Sequence, residues 1–528
     1  MDVIDRAIEK KLHITDDEGL CSQTWEQFWQ KCSDKKVFLF GLGSASTFFI
    51  ANYSTDVHLE GVIDNDERKH NFRVGDFVAE AIDTQYEELT VSDITVLSNY
   101  ANEEVAVLIT STNYYKQIVE QLKQYGVENY YLLLMMEANK RKKGESGKRQ
   151  SELQIKESYI EECCRQEINR KKVVVHIGNY GGHGKYITEQ LYIQQPDLDI
   201  VWIVNDLSVS RPEKVRLVYE KNWKKYIYEM ETAYIWIYDI IVPVYIRKRS
   251  EQIYIQVKHW SSITLKKFFL EDLSTTCTQE EIDKVKYNGK IMDYIMTGSR
   301  FDEESCRNGF GFDGEFIRIG SPRSDALFCQ ENRTKVFERY QIDSTAKSVL
   351  YAPTFRYVKT EHRKFFNIGL DFSMLKGELE ERFGGDWYIF LRMHPSITKM
   401  GNHIEKDSHV IDVSDYSDSQ ELVAAADITI SDYSSIMFEP AFVQKPVFLF
   451  APDLKNYVNN ERDLLIDYNT LPFPIAQSNA ELAKNIQQFN SKAYHHRVEE
   501  FLAQYEIYED GHASKRAAEF ILGLINNR

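Results

Sequence analysis

Two adjacent hydroxyl side chains, Ser434 and Ser435, stand between a predicted buried strand and a predicted helix. The strand is the apolar run 428–430, and serine is a preferred capping residue at a helix N-terminus. A helix N-terminus presents free N–H groups and a partial positive charge, so it suits a phosphate. A capped turn in any α/β protein has the same features, and the five residues 431–435 alone do not separate the two interpretations.

Other polar side chains follow neighbouring predicted strands. Thr354 and Arg356 come after the strand that opens at residue 348, and His394 comes after the strand 387–393. Because open parallel sheets bind ligands at the carboxyl ends of their strands, we expect these side chains and the serine pair to line one cleft. Such a set suits a pyrophosphate, whose transfer requires positioning and neutralisation of charge.

Four motifs occur in a fixed order, at residues 320–325, 351–356, 392–395 and 431–435. Together they resemble the CDP-glycerol:glycerophosphotransferase family, the teichoic-acid and capsule polymerases, most clearly over residues 255–475. The resemblance implies transfer of glycerol phosphate or ribitol phosphate from a CDP-activated donor to a hydroxyl of a glycopolymer, with release of CMP. It also implies the GT-B fold, in which two Rossmann-like domains face each other across a cleft.

The resemblance assigns His259 as the general base, because it ends a Gln-x-x-His segment in which the family's histidine has this proposed role. Trp260 departs from the family pattern, which has a glycine there. A histidine of ordinary pKa accepts a hydroxyl proton at neutral pH, although a histidine at a strand end is often structural. His394 is the second catalytic candidate. The candidate donor-binding residues are Arg323, Thr354, Arg356, Asp432, Ser434, Ser435 and Glu439, the last for the ribose hydroxyls.

Three basic residues are the candidates for binding the acceptor. His183 and Lys185 lie in a loop with four glycines that precedes a predicted helix, and Lys266 follows the His259 segment. The loop is not a Walker motif, because its glycine–lysine spacing is wrong. We expect these side chains to meet an anionic acceptor.

A glycine turn also follows the predicted strand 36–40 near the N-terminus. Gly41 and Gly43, with Asp64 at the tip of the next strand, resemble the nucleotide-binding βαβ fingerprint, although Ser46 replaces its third glycine. The turn predicts either an accessory nucleotide site or a structural domain whose glycine turn is unused. We favour the structural interpretation.

The chain of 528 residues is too long for one core. We predict an α/β fold: a GT-B-like pair of Rossmann-like domains with an additional N-terminal Rossmann-like domain. The expected segments are an accessory domain at 1–140, a charged linker and helix at 141–170, an acceptor-side domain at 171–335, and a donor (CDP-polyol) domain with closing helices at 336–528.

Composition limits the partners and the compartment. A net charge of −17 argues against non-specific nucleic-acid binding, and seven scattered cysteines without a CxxC pair indicate a reducing compartment. The sequence has no signal-peptide pattern at its start and no uncharged apolar run of about 18 residues. We therefore predict a cytoplasmic protein. No Asp/Glu/His cluster has metal-site spacing, so we predict no bound metal and no cofactor.

Three basic clusters, at 140–149, 223–226 and 247–249, suit the inner membrane surface and a lipid-linked or polymeric acceptor. Solvated linkers and helix faces explain the same clusters. Two other functions remain open for the chain: a nucleotide-sugar glycosyltransferase on the same fold, and a non-catalytic partner in a glycopolymer assembly complex.

Overall fold

The computed structural model describes residues 19–32, 34–53, 57–77, 86–111, 114–142, 152–177, 180–271, 278–354, 369–393, 408–460 and 463–526. The chain divides into two compact units. The first comprises Met1–Glu167, Val201–Ser210 and Arg216–Thr232, and the second comprises Ile168–Ile200, Arg211–Val215 and Ala233–Arg528.

The described residues contain eighteen strands, numbered here in chain order. They are β1 (Lys36–Phe40), β2 (His58–Ile63), β3 (Val91–Ser92), β4 (Val105–Ile109), β5 (Tyr130–Leu132), β6 (Asn169–His176), β7 (Asp199–Val204), β8 (Arg216–Tyr219), β9 (Ala233–Tyr238), β10 (Ile253–Gln256), β11 (Tyr294–Thr297), β12 (Glu315–Arg318), β13 (Lys347–Ala352), β14 (Trp387–Leu391), β15 (Val410–Asp412), β16 (Ile428–Ser431), β17 (Val447–Phe450) and β18 (Ile475–Ala476).

Helices alternate with the strands, and many begin at a side chain that caps their free N–H groups; Thr278, for example, forms a capping box with Glu281. The α-helices are Trp25–Cys32, Ser44–Tyr53, Val74–Phe77, Tyr115–Gln124, Leu133–Lys142, Glu152–Cys163, Gly182–Gln194, Trp223–Thr232, Gln279–Ile291, Arg300–Phe310, Glu331–Arg339, Phe372–Phe383, Ser419–Ala425, Glu439–Phe442, Leu454–Asn460, Asn479–Gln487, Ser491–Gln504 and Ala513–Asn526.

The first unit is built on a five-stranded sheet in the order β3-β2-β1-β4-β5. All four pairings in it are parallel. The central strands, β1 (KVFLF) and β4 (VAVLI), are runs of apolar residues that are buried almost throughout, as expected for parallel strands with helices on both faces. The apolar side chains that cover this sheet form the core of the unit.

The second unit contains two sets of parallel strands. One has the order β12-β11-β10-β9-β6, and the other is a six-stranded sheet in the order β15-β14-β13-β16-β17-β18. Apolar side chains from the six-stranded sheet and from the C-terminal helices form one large core, which also includes Ile263 and Leu265 from the segment after β10. The predicted α/β class, with several parallel sheets, is confirmed.

None of the helices that the structure describes is both long and apolar enough to cross a bilayer. The six described cysteines are free thiols.

Candidate active site

The chain turns sharply just before His259, at the carboxyl end of β10. Lys258 has a φ of +53°, in the left-handed region that side chains rarely adopt. The buried Gln256 side chain accepts a hydrogen bond from the Lys258 N–H at 2.8 Å and donates one to the Ile240 carbonyl at 2.8 Å. The glutamine of the Gln-x-x-His segment therefore holds the turn that presents the histidine.

The environment of His259 favours its neutral form. The imidazole bonds the backbone of Asp239 and packs edge-on against Trp260, with 4.9 Å between ring centroids. Desolvation by the surrounding protein, followed by the positive charge of Arg323, holds the pKa of His259 below its ordinary value. His259 is also exposed to solvent on one side. A neutral imidazole that solvent can reach is able to accept a proton at pH 7.

A buried ion pair lies behind the turn. The Lys258 ammonium is 2.8 Å from a carboxylate oxygen of Asp302, and the two side chains are 1% and 0% exposed. The other Asp302 oxygen accepts a hydrogen bond from the Trp260 indole N–H at 3.0 Å. Asp302, from the helix Arg300–Phe310, thus fixes the residues on both sides of His259.

His183 lies inside the protein beneath the same turn. Its Nε2 donates to the Trp260 carbonyl at 2.8 Å, and its Nδ1 accepts a hydrogen bond from the Arg323 N–H at 3.5 Å. Burial, followed by the charge of Lys258, holds the pKa of His183 well below its usual value, and the bonding requires the neutral ring. The His183 side chain is 1% exposed, and both ring nitrogens bond to the protein's own backbone; its acceptor role stays a prediction.

Arg323 brings together three residues singled out from the sequence. Its Nη1 donates to the His259 carbonyl at 2.7 Å, and its Nη2 is 2.9 Å from the Glu439 carboxylate. The second Glu439 oxygen accepts a hydrogen bond from the Gln420 side chain at 3.0 Å. One guanidinium therefore links the base candidate to the candidate ribose-binding carboxylate.

The serine turn follows β16. Ser434 caps the 3-10 helix Ser435–Phe438 by accepting a hydrogen bond from the Ile436 N–H at 3.4 Å. The short helix Glu439–Phe442 continues from it. The sequence predicted a helix directly after the serines, and the structure forms it in these two short pieces.

Four of the predicted donor-binding residues lie together at this turn. The Asp432 carboxylate accepts hydrogen bonds from the Thr354 N–H at 2.9 and 3.1 Å, because β13 and β16 are neighbours. The Ser435 hydroxyl is 3.0 Å from the Thr264 hydroxyl, five residues after His259 in the chain. The segment that carries the base candidate thus touches the candidate phosphate turn.

Lys266 lies on the same segment. Its ammonium is 5.6 Å from the centre of the Tyr457 ring, and that ring stacks on Tyr433 of the serine turn at 3.7 Å. Lys266 also forms an isolated bridge with Leu464. The Lys266 ammonium therefore lies beside the serine turn. The role of Lys266 in binding the acceptor stays a prediction.

Lys185 is engaged by carboxylates. Its ammonium is 2.7 Å from Asp418 and 2.6 Å from Glu421, and its side chain is 12% exposed. Burial disfavours the charge, but the two carboxylates outweigh burial and raise the pKa of Lys185. The contact joins the helix Gly182–Gln194 to the helix Ser419–Ala425, and an acceptor would have to compete with both carboxylates.

Arg356 and His394 lie outside the described residues. The strands that lead to them, β13 and β14, pair in parallel with Tyr351 opposite Leu391. Their proposed contacts to the donor phosphates stay predictions.

In the first unit, the glycine turn bonds to the protein's own side chains. The Asp64 carboxylate accepts a hydrogen bond from the Leu42 N–H at 2.6 Å. The same carboxylate pairs with the Lys69 ammonium at 2.8 Å. The Gly43 N–H donates to the Ser46 hydroxyl at 2.7 Å. A structural turn has these features, and the accessory nucleotide site at Gly41, Gly43 and Asp64 stays a prediction.

The sequence analysis did not single out Asp239, which follows β9 beside His259. Burial raises the pKa of Asp239 to about 7, and one of its oxygens accepts no hydrogen bond from any described residue. The available signal was a carboxylate that interrupts the apolar run 232–246 at a strand end.

No group of three His, Cys, Asp or Glu side chains within the described part of the chain is arranged to hold a metal ion.

Known proteins with related sequences act in teichoic-acid synthesis. The chain is 28% identical to a teichoic acid poly(glycerol phosphate) polymerase of Bacillus spizizenii, over 62% of this chain and 84% of that protein. It is 32% identical to a teichoic acid ribitol-phosphate primase of the same organism, over 40% of this chain and 54% of that protein.

Two solved structures of the wall teichoic acid polymerase TagF match with TM-scores of 0.63 and 0.62. Each is 26% identical and covers 71% of this chain and 95% of that chain. The family model described as CDP-glycerol:poly(glycerophosphate) glycerophosphotransferase matches residues 159–523, well over half of the chain. The resemblance carried by the sequence motifs is thereby confirmed, and the chain belongs to the CDP-glycerol:poly(glycerophosphate) glycerophosphotransferase family.

Proposed function

We propose that the protein transfers glycerol phosphate or ribitol phosphate from a CDP-activated donor to a hydroxyl of a teichoic-acid or capsule glycopolymer, releasing CMP. The observation that carries the proposal is the 3.0 Å contact between the hydroxyls of Thr264 and Ser435. It joins the His259 segment to the serine turn, and transfer requires a base and a phosphate-binding turn in one site.

In the proposed reaction, an acceptor hydroxyl attacks the phosphorus that bears the polyol. A new phosphorus–oxygen bond forms, and the bond from this phosphorus to the bridging oxygen breaks, so CMP leaves with the bonding electron pair. The hydroxyl proton passes to the neutral ring of His259. Ser434 and Ser435 donate hydrogen bonds to the donor phosphates, and Arg356 and His394 add the charge stabilisation that the sequence motifs imply.

We further propose that residues 171–335 and 336–528 form the acceptor and donor domains of a GT-B arrangement, with 1–140 as an accessory domain joined by 141–170. Support comes from the site residues of the second unit, which follow β10, β12, β13 and β16 at the carboxyl ends of parallel strands. In this arrangement the donor meets Thr354, Asp432 and the serine turn.

The acceptor in this proposal is lipid-linked or polymeric, and the protein works at the cytoplasmic face of the membrane. The basic clusters at 223–226 and 247–249 support this location, since each basic residue near an anionic surface contributes about 1 kcal/mol.

The test is CMP release from CDP-glycerol and CDP-ribitol in the presence of a lipid-linked acceptor, with mass spectrometry of the product. We expect turnover by the wild type and a rate at least about 100-fold lower for His259→Gln. His496→Gln is the matched control, because His496 is 71% exposed on the helix Ser491–Gln504. Turnover of UDP- or GDP-sugars without any turnover of CDP-polyols would refute the proposal in favour of a glycosyltransferase.

A further inference from the structure

The loop between the last two helices lies against the carboxyl ends of two strands. The Tyr508 N–H donates to the Gly298 carbonyl at 2.8 Å, directly after β11. The Arg516 guanidinium, just beyond the loop, donates twice to the Ile319 carbonyl, at 3.0 and 2.7 Å, directly after β12. The C-terminal segment therefore borders the sheet edge that carries the candidate site.

Within this loop, the Glu509 carboxylate joins two site segments. One of its oxygens contacts the Ser262 hydroxyl, and the other accepts a hydrogen bond from the Ser321 N–H at 3.1 Å. The two serine hydroxyls are 3.0 Å apart. Ser262 lies three residues after His259, and Ser321 lies two residues before Arg323.

Two glycines leave the space that this contact needs. A side-chain carbon on Gly298 would overlap Ser262 and stand 3.0 Å from the Glu509 carboxylate. Gly320 has a φ of +83°, and a side-chain carbon there would stand 2.9 Å from the Tyr508 carbonyl. The close approach of the loop is therefore built into the ends of β11 and β12.

We infer that Glu509 is a positioning residue for the transfer reaction: through Ser262 and Ser321 it fixes the two segments that carry His259 and Arg323. The inference rests on the proposed function. It is consistent with the direct contact between the same segments, in which Arg323 donates to the His259 carbonyl at 2.7 Å.

The protonation state of Glu509 adds a readout that a merely structural contact lacks. Burial raises the pKa of Glu509 to about 8, against hydrogen bonds from Ser262 and Ser321 that lower it. Below pH 8 the neutral carboxyl group is able to donate a hydrogen bond to the Ser262 hydroxyl. Above pH 8 it is an anion, which only accepts hydrogen bonds, so the bonding to Ser262 and Ser321 changes with pH.

Two cations face Glu509, and each is paired with another carboxylate. Lys258 pairs with Asp302 at 2.8 Å, and Arg516 pairs with Asp510 at 2.7 Å. Both cations favour the anionic form of Glu509, yet burial outweighs them.

The test compares Glu509→Ala and Glu509→Gln with Glu506→Gln, a control in the same loop whose side chain is 48% exposed and lies 3.8 Å from Arg300. CMP release from CDP-glycerol is measured from pH 6 to 9.5, with the melting temperature of each variant. We expect Glu509→Ala to lower kcat by about 100-fold through misplacement of the base, with a smaller change in KM for the donor. Glu509→Gln can donate to Ser262 and accept from Ser321, so it should keep most of the kcat at pH 7.

The wild type and Glu506→Gln should show a change in kcat with an inflection near pH 8, and Glu509→Gln should lack it. Wild-type kcat in Glu509→Ala, or the same inflection in Glu509→Gln, would overturn the inference; the second result decides the matter if Glu509→Ala does not fold. A wild type that releases no CMP at any pH refutes the proposed function and this inference with it. If the wild type is active and the Glu509 variants have the same kcat and the same pH profile, the result refutes this inference alone.

Discussion

The buried pair of Lys258 and Asp302 allows a quantitative test of how the His259 turn is held. Lys258→Met leaves a carboxylate without its cation, and Asp302→Asn leaves an ammonium without its anion. The side chains are 1% and 0% exposed at a separation of 2.8 Å, so neither remaining charge regains its hydration. Removing one partner of such a pair typically costs about 3–5 kcal/mol. We expect each substitution to lower the free energy of unfolding of the second unit by about this amount.

The expected loss is large enough for calorimetry. The entropy of unfolding is about 2 cal/mol/K per residue. The second unit has more than 300 residues, so a loss of about 4 kcal/mol lowers its melting temperature by about 6 °C. Differential scanning calorimetry at pH 7 measures this shift, and steady-state kinetics of the same variants should show a lower kcat, because the turn carries His259.

The double variant Lys258→Met/Asp302→Asn separates charge pairing from shape. It removes both charges and keeps an oxygen at position 302 for the Trp260 indole N–H. We expect it to melt at a higher temperature than either single variant. A melting temperature lowered by the sum of the two single effects would refute the reasoning, since the side chains would then act independently. The exposed pair of Lys284 and Glu280, at 2.7 Å, is the control, and Lys284→Met should cost under about 1 kcal/mol.

Three further predictions concern the base and its surroundings. His259→Ala should lower kcat by at least about 100-fold while calorimetric titration shows unchanged CDP-glycerol affinity; equal rates would remove the base assignment. Because the pKa of His259 is held low and the base works when neutral, the acidic limb of kcat/KM should lie below about pH 6.5, and an acidic limb at or above that pH would contradict the assignment. Lys185→Met leaves Asp418 and Glu421 without this cation, so it should lower the melting temperature and leave KM for the acceptor unchanged; the opposite pattern would restore the acceptor role.

The elements and the serine turn were predictable because their signals are local. The apolar run 428–430 is β16 (Ile428–Ser431), and the next polar residues form the turn that Ser434 caps. Capping needs only residues two or three positions apart in the chain, so composition and spacing reveal it. The same holds for β1 and β4, whose unbroken apolar residues indicate buried parallel strands.

The settings of His183 and Lys185 were not predictable, because their partners are remote in the chain. The Trp260 carbonyl is 77 residues from His183, and Asp418 is 233 residues from Lys185. A histidine and a lysine in a glycine-rich loop have the same local pattern whether they face an anionic ligand or the protein's own carbonyls and carboxylates. Only the tertiary fold decides between these settings.

Asp302 shows why a site-supporting carboxylate gives no sequence signal. It stands in the first turn of the helix Arg300–Phe310, where an acidic residue is expected for its favourable interaction with the helix dipole. That explanation is sufficient in the sequence, yet in the structure the side chain points into the protein and binds Lys258 and Trp260. Burial and a distant cation change the role of a residue whose local context is ordinary.

The arrangement around His259 also explains how a chain with a net charge of −17 can present a site for a diphosphate. Arg323, Lys266 and Lys258 all act on the imidazole, so the local field is positive although the whole chain is acidic. Arg323 uses one nitrogen for the His259 carbonyl and another for Glu439. A donor phosphate that draws this guanidinium from Glu439 can therefore leave the contact to the base segment intact, and one side chain then couples occupation of the donor site to the placement of the base.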